Sequence, residues 1–249
     1  WIEQSLNAAF VDFGSTRHGF LPLKELSRNF YKKNSQGKSE CALKEGQEIL
    51  VQINKEERGL KGAALTTYLS FAGRYCVLMP NSMNNDGISR KIGDLEERKK
   101  LKQILSSVNI PDKMSVIIRT AGIGKTKKEI SKDLTFLVSQ WNKIRELTIK
   151  SEAPKLIYEE GSILKRIIRD SFTEDVDSVL VEGKDGFDKV KKLTKNLVPN
   201  QSKKIKLFKS KDKSLFAENN IENQINELFS LSVKLESGGS IVINTTEAL

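Results

Sequence analysis

The stretch "VIIRTAGIGKTKKEI", residues 116–130, sets a cation, a hydroxyl and a glycine-rich turn between an apolar run and a helix start. Strand, loop and helix in that order is the setting in which backbone N–H groups and helix N-termini hold phosphate. A nucleotide-binding P-loop requires G-x-x-x-x-G-K-[ST]. Counting back from Gly124-Lys125-Thr126, the first glycine falls at position 119, and that residue is Arg119. A bulky cation fills the space the tight turn needs. A Walker-type ATPase is therefore a weak reading, one that only ATP binding dependent on Lys125 would favour. Arg119 closes a strand, and its planar guanidinium can grip a phosphate in bidentate fashion. Thr120 adds a hydroxyl and a backbone N–H. An ordinary strand-to-helix turn with a surface arginine fits the same spacing, and by spacing alone it is the simpler reading.

A second set of residues has the chemistry of base stacking. In "AAFVDFG", strand alternation puts Phe10 on the face of Ala8 and Asp12, with Val11 and Phe13 on the other. In "HGFLPLKEL", Phe20 shares a face with Pro22 and Lys24, while Leu21 and Leu23 turn inward. Two phenylalanines on polar faces of a small barrel form a platform for unpaired bases. Lys61, opening "KGAALTT", is placed to meet backbone phosphates. A phenylalanine that merely packs under a loop is the alternative.

These residues need elements to hold them. Residues 1–69 read as short strands, "NAAFVDFG", "EILVQINK" and "KGAALTTYLS", around a polar loop, the pattern of an OB-fold. Beyond residue 70 the chain mixes strand and helix. "GRYCVLMP" and "MSVIIRT" are strands. Asp94 opens a helix with Leu101, Ile104, Leu105 and Val108 on one face. Thr126 and Glu129 form a T-x-x-E capping box before Ile130, Leu134, Leu137, Trp141 and Ile144. "PKLIYEE" is predicted as a strand. Residues 161–230 alternate a helix, the strand "DSVLVEG", the helix "GFDKVKKLTKNLV", the strand "KIKLF" and a helix striped by Ile221, Ile225, Leu228 and Phe229. This is a small α/β unit. A hairpin around Ser-Gly-Gly follows.

The 249 residues carry a formal charge of +10, with 38% apolar and 30% charged residues. That length and composition suit several small cores rather than one large one. The positive charge is compatible with nucleic acid or an anionic membrane as partner, and equally with a lysine-rich composition bias. No apolar run reaches the length of a membrane span, and no signal peptide opens the chain. The first residue is Trp rather than Met, which reads as a fragment of a longer protein. Cys41 and Cys76 have neither metal-ligand spacing nor a disulfide pattern, which fits a reducing cytosol. His18, the one histidine, reads as structural.

Together, "AAFVDFGSTRHGFLPLKEL", "GQEILVQINKEERGLKGAALTTYLSFAGRY", "NNDGISRKI", "IIRTAGIGK" and "SGGSIVINTTEAL" resemble the ribonuclease E/G family of bacterial endoribonucleases. "HGFLPLKE" and "KEERGLKGAALTT" are closer to its ribonuclease E branch. The resemblance implies an α/β multi-subdomain architecture. It sets an RNA-binding OB-fold barrel at 1–67, lacking its first strand, and a 5′-sensor region at 68–164. A partial RNase H-like subdomain follows at 165–228, and a DNase I-like catalytic domain begins at 229–249. It also implies roles. Phe10, Phe20 and Lys61 match positions that bind single-stranded RNA. Gly73, Val77, Arg119 and Thr120 match positions lining a pocket for the RNA's 5′ monophosphate.

The intact protein implied is a Mg²⁺-dependent endoribonuclease of A/U-rich single strands, active in RNA processing and decay. A structural Zn²⁺ would be shared between subunits of a homotetramer, and degradosome proteins would bind an absent tail. The location implied is cytoplasmic, with the inner face of the cytoplasmic membrane as the alternative. The family's catalytic aspartates come after the motif matching "TTEAL", so this stretch is expected to bind RNA without cleaving it alone. The zinc cysteines also lie further on, and neither Cys41 nor Cys76 replaces them. Asn244 stands where the ribonuclease E pattern usually has an acid. An RNA-binding module without nuclease action is the rival expectation.

Overall fold

The computed structural model describes residues 1–33, 39–82, 86–210 and 212–244. The chain forms two compact units, residues 1–161 and 162–249.

The first unit opens with a five-stranded sheet in which short, half-apolar strands bury one face. In chain order its neighbourhood contains β1 (Ile2–Glu3), β2 (Ala8–Val11), β3 (Gly19–Pro22), β4 (Tyr31–Lys33), β5 (Ser39–Cys41), β6 (Gln52–Lys55) and β7 (Ala64–Thr66). The sheet order is β1-β2-β3-β7-β6, with β4 and β5 pairing separately. β3 and β7 run parallel and the other neighbours in the sheet antiparallel. Ala9, Leu21, Leu26, Ala63 and Leu65 form its buried core, with Val11, Phe13 and Leu23 packed against them. The inward residues read from strand alternation thus take the inner face. The polar loop predicted between the strands contributes the β4–β5 pair, and its residues 34–38 lie outside the described residues.

A second layer follows in the same unit: β8 (Phe71–Ala72), β9 (Cys76–Met79), β10 (Gly87–Ile88), α1 (Leu95–Ser107), β11 (Ser115–Ile118) and α2 (Lys127–Ile149). The four strands order as β10-β11-β9-β8. Both helices begin at side-chain caps. The Asp94 carboxylate accepts from the Glu97 N–H at 2.9 Å. Thr126 and Glu129 complete the predicted capping box reciprocally, an arrangement of about 1 kcal/mol. Leu101 and Leu105 of α1 and Ile130, Leu134 and Leu137 of α2 pack on Cys76, Leu78, Val116 and Ile118 of the sheet.

"PKLIYEE" forms no strand. Tyr158 instead sets its ring edge-on against Phe71, 5.9 Å between centroids. The β-rich composition of that stretch is spent on aromatic packing, and no strand edge among the described residues pairs with it.

The second unit holds α3 (Ile163–Asp170), β12 (Val179–Glu182), α4 (Lys184–Leu197), β13 (Ile205–Phe208), α5 (Leu215–Glu218), α6 (Ile221–Leu228), β14 (Ser232–Lys234) and β15 (Ser240–Val242). β12 and β13 are parallel, as a strand–helix–strand crossover requires. Ile168, Phe172, Val190, Val198 and Ile205 make its core. The stripe predicted on the last helix forms in α6 but is not buried: Leu228 and Phe229 are both 82% exposed. β14 and β15 make the predicted hairpin, and the "TTEAL" end of the motif lies outside the described residues. No helix among the described residues is long and apolar enough to cross a membrane.

Candidate nucleic-acid interface

On the five-stranded sheet, β2 and β3 place Phe10 directly opposite Phe20. Their rings meet edge to face, 5.8 Å apart at 63°, a favoured aromatic geometry. Trp1 stacks on Phe10 at 4.8 Å and 18°. Its position is fixed by the main chain, since the Phe10 N–H donates to the Trp1 carbonyl at 2.9 Å. His18 stands edge-on to Trp1 at 5.0 Å. Four rings therefore form one connected group, of which Phe10 and Phe20 are half-buried and Trp1 is 55% exposed.

Lys61 is exposed at the base of a tight turn, exchanging main-chain hydrogen bonds with Arg58. The turn is drawn against the aromatic group by Gly62. A Cβ at residue 62 would lie 2.4 Å from the His18 carbonyl oxygen, so only glycine permits the approach. The Arg17 guanidinium donates to the Gly59 carbonyl at 2.6 Å and ties the same turn down.

The other predicted residues converge on the end of the second sheet. β9 pairs antiparallel with both β8 and β11, so Val77 lies between Ala72 and Ile117. The turn between β8 and β9 holds Gly73, Arg74 and Tyr75. Arg119 follows β11 immediately. Its N–H donates to the Tyr75 carbonyl at 2.8 Å, and its guanidinium donates to the Gly73 carbonyl at 2.5 Å. Thr120 begins a single 3-10 turn, Thr120–Gly122, and is exposed. Gly73, Val77, Arg119 and Thr120 thus occupy one sheet end beside the start of α2. Lys125, the lysine of the P-loop-like stretch, lies over the Tyr75 ring at 5.7 Å, as does the Arg74 guanidinium. The turn is rimmed by positive charge.

Four residues here escaped the sequence reading. Trp1 and His18 join the aromatic group, and Tyr75 carries the two cations. Asp133 is the fourth. Its carboxylate accepts from the N–H groups of Arg74, Tyr75 and Cys76 at 3.2, 2.8 and 3.1 Å, and from the Cys76 thiol at 3.3 Å. Burial first, and then the Asp133 charge, push the Cys76 thiol far above its ordinary value, so it remains an S–H donor. A signal for Asp133 was present. It lies three residues after Ile130 and four before Leu137, on the apolar stripe of α2, where a carboxylate needs a reason.

Among the described residues no group of three or more His, Cys, Asp or Glu could hold a metal ion. Cys41 is exposed and Cys76 buried against Asp133. These residues do not fit the Mg²⁺ or Zn²⁺ sites that the sequence resemblance implies for the intact protein.

The family model for the S1 RNA binding domain matches residues 3–67. The Ribonuclease E/G family model matches residues 70–249. Ribonuclease E of Haemophilus influenzae is 46% identical over 252 residues, covering 100% of this chain and 27% of that protein. Ribonuclease E of Escherichia coli is 44% identical over 257 residues, covering 100% of this chain and 24% of that protein. Ribonuclease G of Haemophilus influenzae is 32% identical over 255 residues, covering 51% of that protein. The chain spans about a quarter of the length of these two ribonuclease E relatives. A family model covering well over half of the residues leaves one conclusion: the chain belongs to the Ribonuclease E/G family.

Proposed function

We propose that this chain is the RNA-engaging part of a ribonuclease E-like endoribonuclease that acts in RNA processing and decay. Single-stranded RNA lies on the aromatic face of the barrel, its bases stacking on Phe10 and Phe20 and its phosphates meeting Lys61. The RNA's 5′ monophosphate enters the pocket of Gly73, Val77, Arg119 and Thr120. The connected, partly exposed rings on a barrel that matches an RNA-binding domain carry this reading. Stacking is sequence-tolerant and requires unpaired bases. The pocket favours a monophosphate because donors around a single phosphate leave no room for the charge and bulk of a triphosphate. Arg119, anchored through Gly73 and Tyr75, supplies the cation, and Thr120 a hydroxyl beside it.

In the same reading, residues 1–67 are the barrel, 68–164 the 5′ sensor, 165–228 part of an RNase H-like subdomain and 229–249 the start of a catalytic domain. Cleavage of A/U-rich single strands, the metal ions, tetramer assembly, degradosome contacts and a cytoplasmic location belong to the intact protein. The 249 residues by themselves bind RNA and position it.

The test is anisotropy of a labelled oligoribonucleotide in three forms: 5′-monophosphorylated, 5′-hydroxyl, and annealed into a duplex. Tightest binding of the monophosphorylated single strand is the expected result. Equal binding of all three forms would overturn both halves of the reading.

A further inference from the structure

The peptide unit between Gly73 and Arg74 is held at both ends. Its N–H donates to Asp133 Oδ1 at 3.2 Å, and its carbonyl accepts from the Arg119 guanidinium at 2.5 Å. The next two N–H groups, of Tyr75 and Cys76, converge on Asp133 Oδ2. Three successive main-chain N–H groups pointing to one side form an anion-binding concavity. Here the anion is a side chain of the same molecule.

We propose that Asp133 is the positioning residue of the phosphate pocket, a proposal that rests on the 5′-sensor reading above. Through one peptide plane it fixes the direction of the Gly73 carbonyl, and that carbonyl fixes the Arg119 guanidinium. The Asp133 oxygens fill the concavity, so an RNA phosphate meets Arg119 and Thr120 rather than the N–H groups of the turn. The proposal also reassigns Gly73. A Cβ at residue 73 would lie 2.4 Å from Asp133 Oδ2, so Gly73 lacks a side chain to admit this carboxylate. A carboxylate offers about four acceptor sites, and three N–H groups and one S–H use them. An asparagine at 133 would aim its own N–H groups at these donors.

The measurement compares affinities of the 249-residue chain for 5′-monophosphorylated and 5′-hydroxyl RNA of one sequence. Both RNAs meet the same folded molecules, so a merely destabilised protein leaves their ratio unchanged. In Asp133→Asn the ratio falls about tenfold, or to unity where the native preference is smaller. A native ratio in that variant overturns the proposal. Arg119→Ala is measured in parallel. If it abolishes the preference while Asp133→Asn preserves it, the positioning role fails and the sensor reading stands. A wild-type chain without any preference, or an Arg119→Ala chain that keeps it, removes the sensor reading and the proposal with it. Should Asp133→Asn not fold, the unaltered chain supplies the answer by NMR. The amide protons of Arg74, Tyr75 and Cys76 stay protected from exchange when a 5′-monophosphorylated dinucleotide is added, and loss of that protection, the sign of a phosphate displacing Asp133, overturns the proposal.

Discussion

Asp133 and Arg119 grip opposite ends of one peptide unit, the carboxylate at its N–H and the guanidinium at its carbonyl. An anion and a cation on different elements are thereby oriented through a rigid plane. The guanidinium arrives at the sheet end already aimed, with little freedom left to lose on binding.

Arg119→Ala removes the cation from that sheet end. Charge-assisted hydrogen bonds are worth about 1.5–3 kcal/mol, so affinity for 5′-monophosphorylated RNA drops by roughly one to two orders of magnitude. Competition binding against 5′-hydroxyl RNA reads the effect, and an unchanged preference counts against the sensor role.

Phe10→Ala and Phe20→Ala together weaken single-stranded RNA binding by about 1–3 kcal/mol for each stacked base lost. Both rings are only half-buried, so the loss of affinity exceeds the loss of stability. A collapse of thermal unfolding with little change in binding would show that these rings serve the core.

Trp1 reports directly on the same face. In a Trp141→Phe background it is the remaining tryptophan, stacked on Phe10 and 55% exposed. Its emission is quenched when single-stranded RNA is added. Emission that ignores saturating RNA places the bases elsewhere.

Lys61→Ala tests the phosphate contact by its salt dependence. Removing one phosphate contact lowers the slope of log affinity against log salt by about 1. A native slope with reduced affinity would instead mean that the turn has lost its shape.

The capping box gives a stability prediction. Thr126→Ala destabilises the fold by about 1 kcal/mol, read by urea denaturation. Hydrogen bonds from the Thr126 backbone and hydroxyl hold the Glu129 carboxyl below its ordinary range. A depressed folded-state value means the contribution is present above the unfolded-state value and lost as pH falls through the folded one. The stability difference between wild type and Thr126→Ala therefore narrows under acid, as the hydroxyl's bond to the Glu129 carboxylate is lost, while the cap to the Glu129 N–H remains. A constant difference across that window would rule out the Glu129 linkage.

The sequence made legible whatever depends on spacing. The T-x-x-E box, the α2 stripe from Ile130 to Ile144 and the opposite faces of Phe10 and Val11 all follow from fixed periods. The convergence of Gly73, Val77, Arg119 and Thr120 was expected from the family resemblance, and the structure brings all four to one sheet end. Long-range register left no such mark. Nothing local shows that Trp1 lies across from Phe10, or that Asp133 reaches a turn nearly sixty positions earlier. "PKLIYEE" has strand composition, but composition does not reveal whether an edge awaits it. The α6 stripe shows the reverse, a helical period whose Leu228 and the adjoining Phe229 stay exposed among the described residues.

The Cys76–Asp133 contact also decides where sulfur chemistry can occur. Reagents that modify cysteine attack the thiolate, and Cys76 is fully buried with its proton retained. Cys41 on β5 is exposed. A maleimide dye or spin label added to the native chain therefore attaches at Cys41 alone. The chain needs no engineered cysteine to carry a single probe on its barrel unit.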